Sequence, residues 1–89
     1  MKKLIVRVKE IRGCCESHHV GDCFRLEGGK LSLPGNNKHI CIYAFSSLLP
    51  LLPAKERNPN EPDDWLPRTW EVECPDPNGG VIWEISYAE

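Results

Sequence analysis

Trp70-Glu71-Val72-Glu73-Cys74 runs into Pro75-Asp76-Pro77-Asn78-Gly79-Gly80 and out again as Val81-Ile82-Trp83-Glu84-Ile85-Ser86-Tyr87. Before the turn, Trp70, Val72 and Cys74 share one face of a two-residue repeat, with Thr69, Glu71 and Glu73 on the other. After it, Val81, Trp83, Ile85 and Tyr87 resume the apolar face and Glu84 points away. Only a strand sends alternate side chains to opposite sides in this way. The hexapeptide between is made of residues that favour turns. The segment predicts an antiparallel hairpin with one face on a core that includes Trp70 and Trp83.

Towards the N-terminus the same period returns. Leu4, Val6 and Val8 alternate with Ile5, Arg7 and Lys9, giving a first strand that Gly13 ends, and a polar loop follows from Cys14 to Gly21. Phe24 and Leu26 alternate with Cys23, Arg25 and Glu27. Gly28-Gly29 supplies the positive φ that a two-residue hairpin needs. Across it Leu26 faces Leu31 and Phe24 faces Leu33, and Pro34-Gly35 closes the hairpin. Residues 41–52 are the only stretch with helical composition; Pro50 deprives Ser46 of its hydrogen bond and kinks the helix, which ends near Pro53 or one turn later. Residues 54–68 hold three prolines, two asparagines and the pair Asp63-Asp64. This loop exceeds the usual ~4–6 residues, and Trp65 is expected to pin it to the body. Asp63-Asp64 reads as solvent-facing or helix-capping.

The expectation is a single α+β domain over residues 1–89: a mainly antiparallel five-stranded sheet with one helix packed on one face. Its strand order follows from chemistry. Cys14 lies past the end of the first strand and Cys74 at the end of the fourth, so a shared site requires those strands to run parallel. The fifth then fits between them, antiparallel to both, giving the order 4-5-1-2-3.

A chain of 89 residues with 40% hydrophobic residues builds one modest core, for which a staple is useful. Met1-Lys2-Lys3-Leu4-Ile5-Val6 imitates a signal peptide, but Arg7 and Lys9 interrupt it and no small-residue cleavage site follows. No run approaches the ~20 apolar residues of a membrane helix. The expected location is the cytoplasm, with no membrane partner. Five cysteines in a reducing compartment favour thiols or metal over disulfides. A net charge of −2 gives no basis for nucleic-acid binding. Residues 1–45 carry eight basic and four acidic side chains, and residues 46–89 three and nine. Cross-strand pairing of Arg7 and Lys9 with Glu71, Glu73 or Glu84 accounts for that asymmetry.

The candidate metal ligands are Cys14, His18, Cys41 and Cys74. His18 follows Cys14 by four residues, a spacing that can close on one ion. Cys41 opens the helix, where backbone N–H groups favour a thiolate. Together they make a Cys₃His set of the kind zinc takes. An iron–sulfur cluster would want a fourth thiolate, from Cys15 or Cys23. Cys23 falls opposite Phe24 and Leu26 and should point away from the core. His19 reads as a solvated neighbour and His39 as a spare ligand. The plainer reading is that these cysteines pack as small hydrophobes and no cofactor is bound.

Cys14-x-x-x-His18-x-Val20-Gly21-Asp22, Cys41 opening the helix, and Cys74-Pro75-Asp76-Pro77 before Val81-Ile82-Trp83-Glu84-Ile85 resemble a family of small prokaryotic proteins that occur singly or as tandem repeats. The resemblance implies that Cys14, Cys41 and Cys74 are the thiols to follow. It implies no activity. Cys15, Cys23 and the loop with Asn58, Asn60 and Asp63-Asp64 depart from the family's pattern.

Two functions stay open. One is a small metal-binding domain with a structural zinc-type site or a redox iron–sulfur cluster. The other is a metal-free module that meets a protein partner through loop 54–68 or the helix face. An enzyme with a Cys41 or Cys74 nucleophile ranks below both, because no paired base is legible.

Overall fold

The computed structural model describes residues 1–33, 39–58 and 60–88; the expected turn at Pro34-Gly35 lies outside them. Five strands, β1 (Leu4–Gly13), β2 (Cys23–Glu27), β3 (Lys30–Ser32), β4 (Glu71–Glu73) and β5 (Gly79–Tyr87), form one antiparallel sheet in the order β3-β2-β1-β5-β4. β1 and β4 both pair antiparallel with β5, so they run parallel to each other on either side of it. The order matches the expectation.

The alternation places the core. Leu4, Val6 and Val8 of β1, Phe24 and Leu26 of β2, and Val81, Trp83 and Ile85 of β5 are buried on one face. Full burial of each such side chain contributes about 1.5–3 kcal/mol. The hairpin turn Gly28-Gly29 has φ of 56° and 77°, and Leu26 sits opposite Leu31 as the spacing predicts. On the outer face Lys9 meets Glu71 at 2.7 Å, while Arg7 lies across from Glu84. Arg12 meets Glu73 at 3.3 Å, a pair that simple alternation does not predict.

The cause is a bulge in β1. The register with β5 shifts between Val8 and Glu10, so that Ile11 comes opposite Val81. An inserted residue reverses which side chains face inward. Ile11 packs against the core as a result, although uninterrupted alternation would turn it outward.

The single kinked helix expected over 41–52 is instead two short helices, α1 (Ile42–Ser46) and α2 (Leu52–Glu56). Pro50 cannot donate to Ser46, and Ser46 and Ser47 turn their hydroxyls onto the carbonyls of Tyr43 and Ala44. Both effects favour ending the first helix. α2 then carries Pro53 in its first turn, where its missing N–H costs nothing. Ala44, Leu48 and Leu52 belong to the same buried cluster as the inward strand residues.

Two aromatic expectations are corrected. Trp65 is 59% exposed and does not pin the loop. Lys55 does so: its ammonium is buried, donates to the Leu66 carbonyl at 3.0 Å and lies 3.6 Å from the centre of the Trp70 ring. Tyr87 adds a hydrogen bond to Asn58 at 2.8 Å. Asp64 accepts the Leu66 N–H at the start of a short 3₁₀ turn (Leu66–Arg68), a capping role. Trp70 is 36% exposed, because it closes over Lys55 near the sheet edge.

A four-thiol cleft at the end of the sheet

β1 ends at Gly13 directly opposite Gly79, where β5 begins, so Cys14 emerges beside the start of β5. Cys74 follows β4 on the other side, and its N–H donates to the Val81 carbonyl at 2.9 Å. The start of β5 is therefore held between two cysteine-bearing segments. Both contacts require bare backbone. A Cβ on Gly79 would stand 2.7 Å from the Cys14 backbone, and one on Gly80 2.7 Å from the Cys74 Cβ.

α1 supplies the third segment. The Trp83 indole N–H donates to the Ala44 carbonyl at 3.1 Å, and Phe45 meets Phe24 edge-on at 5.7 Å. These anchors set Cys41, which precedes α1, over the same end of the sheet. Cys14, Cys15, Cys41 and Cys74 all line one open cleft of about 620 Å³, floored by Gly79 and Gly80 and walled by Tyr43, Ala44 and Pro75. None of the cysteines is in a disulfide. Cys23 lies outside the lining.

The Ala44 N–H holds the Cys41 thiol below its ordinary pKa against the opposing effect of burial, and the Tyr43 N–H and Ser17 add to it. These donors approach the sulfur without forming a capping hydrogen bond. A thiol so placed reaches its nucleophilic, metal-binding form more readily.

His18 is not brought into the cleft with the cysteines. It is buried, with its ring edge-on to Trp83 at 5.3 Å. Its Nε2 accepts the Cys41 N–H at 3.1 Å and its Nδ1 faces Asp22 Oδ2 at 3.3 Å. Accepting at Nε2 requires the proton on Nδ1, so both nitrogens are committed in the neutral ring. Burial opposes ionisation of Asp22, but the His19 N–H and the His18 ring outweigh it and keep the carboxyl below its ordinary pKa. His18 thereby ties the loop after β1 to the backbone of Cys41. His39 is occupied as well, with Nε2 2.8 Å from the Ser17 carbonyl.

Cys15, which the sequence offers beside Cys23 as a fourth thiolate for an iron–sulfur cluster but leaves out of the Cys₃His set, joins the cleft. It is half-buried, packs against the core and lines the cleft beside Cys14. Its adjacency to Cys14 gives no face to read, and the path of the loop decides between it and Cys23. Among the described residues, no three His, Cys, Asp or Glu side chains are grouped closely enough to hold a metal ion. Among the described residues no helix is long and apolar enough to cross a membrane. No protein-family model, curated protein or solved structure matches the chain.

Proposed function

We propose that the protein is a small metal-binding domain, acting as a single unit in the reducing cytoplasm, whose ligands are the thiolates of the cleft. Cys14, Cys41 and Cys74 keep the role expected from the sequence, and Cys15 takes the place of His18. One observation carries the reading: three segments far apart in the chain deliver four thiols to one cleft. Convergence of this kind is not needed for cysteines that merely pack as hydrophobes, three of which are only partly buried or exposed here. A bound metal would join the ends of β1 and β4 to the start of α1. Its binding free energy would then add to folding.

The test is anaerobic purification followed by elemental analysis and thermal unfolding with and without a chelator. Stoichiometric metal and a lowered Tm after chelation are expected. Metal-free protein with an unchanged Tm would leave the second reading, a protein-interaction module. That reading is favoured by Ile42, Tyr43 and Leu49 of the helical segment and Trp65 of loop 54–68, which are large, apolar and exposed.

A further inference from the structure

Resting on that reading of the cleft, we infer that its occupant is a four-iron iron–sulfur cluster rather than a single ion, with Cys14, Cys15, Cys41 and Cys74 each binding one iron.

The donor set is the first support. All four sulfur donors come from cysteine, and the His18 imidazole is committed to the Cys41 N–H. All-thiolate ligation suits iron–sulfur clusters and also some zinc sites. Spacing separates the two. A zinc ion needs four sulfurs at about 2.3 Å from one point. Cys14 and Cys15 are adjacent, so both could reach one ion only by closing a tight ring through a single peptide bond. In a four-iron core each iron takes one protein thiolate, and adjacent cysteines bind different irons without sharing a centre.

Room is the second support. The cleft measures about 620 Å³ and has the four cysteines in its lining. The bare backbone of Gly80 lets β5 pack directly against Cys74, whose sulfur a Cβ there would approach to 3.0 Å.

Loading from a preformed cluster held by small thiolates is a ligand exchange. Each protein thiol passes its proton to the departing thiolate as its sulfur bonds iron, and no electrons change hands.

The full chain, reduced under anaerobic conditions, is incubated with a preformed four-iron cluster held by small thiolates, and in parallel with zinc alone. A brown chromophore with about four irons and four acid-labile sulfides per chain is expected. Loading should also shield Cys14, Cys15, Cys41 and Cys74 from iodoacetamide, read by mass spectrometry, while labelling of Cys23 is unchanged. Cys15→Ser should lose at least half of the bound iron, and Cys23→Ser should keep it. If Cys15→Ser does not fold, the shielding pattern of the wild-type chain decides. One zinc per chain with no cluster, two irons per chain, or a loaded protein whose Cys15 stays reactive would each overturn the inference while leaving a metal site. Failure to take up either metal would instead remove the metal-binding reading beneath it.

Discussion

The backbone N–H of Cys41 donates to Nε2 of His18 across 3.1 Å, linking the loop after β1 to the residue that opens α1. The His18 ring is 2% exposed, so its nitrogens have little access to water as a substitute. His18→Leu keeps an apolar body in the site but leaves that N–H without an acceptor and Asp22 without its ring partner. A buried donor orphaned in this way costs about 1–3 kcal/mol, which urea unfolding would register. Metal stoichiometry should survive the change in molecules that remain folded. A folded His18→Leu protein devoid of metal would show instead that His18 is a ligand.

The tryptophans should separate sharply. Trp83 is 1% exposed, touches Phe24 and His18 edge-on and bonds to Ala44. Trp83→Ala is expected to cost about 3–5 kcal/mol. Trp70 is part-exposed over Lys55, so Trp70→Ala should cost less than half as much. Equal losses in chemical denaturation would mean that Trp70 is as much a core residue as its place in the alternation suggests.

Gly80 has φ of +154° and no room for a methyl group beside Cys74. Gly80→Ala must strain the backbone and push the Cys74 side chain, at a cost of about 1–3 kcal/mol for the strained conformation. A midpoint of urea unfolding within error of wild type would refute the close packing of β5 against Cys74.

Lys55 offers a test by pH. Burial lowers its pKa from the ordinary 10.5. Between the lowered value and 10.5 the unfolded chain holds a proton that the folded chain has released, so raising pH through that window stabilises the fold. Lys55→Met removes this titration, along with the hydrogen bond to Leu66 and the contact with Trp70. At pH 7 the variant should lie within about 1 kcal/mol of wild type, since relief of a buried charge offsets the lost contacts. As pH approaches 10.5, wild type should gain on the variant, while the exposed Lys9–Glu71 pair cancels from the comparison. A stability difference independent of pH would place the Lys55 ammonium in water.

The sequence by itself determined the sheet, its inward face and its strand order. Leu4-Val6-Val8, Phe24-Leu26 and Val81-Trp83-Ile85 alternate with a period that only a strand satisfies, and a shared site for Cys14 and Cys74 leaves little choice of topology. Tertiary structure decided the rest, because it depends on neighbours distant in the chain. The bulge that turns Ile11 inward is set by pairing with β5, whereas Lys9-Glu10-Ile11 carries no local mark of it. Helix 41–52 splits at a point where Pro50 announces a kink, but the packing of Ala44, Leu48 and Leu52 on the sheet fixes how the two pieces lie. His18 has the spacing of a ligand to Cys14. It becomes a hydrogen-bond acceptor for Cys41 because the sheet buries its ring beside Trp83, where each nitrogen needs a fixed partner. Cys15 enters the cleft for the complementary reason: the loop leaving Gly13 turns across the start of β5, and both adjacent thiols follow it.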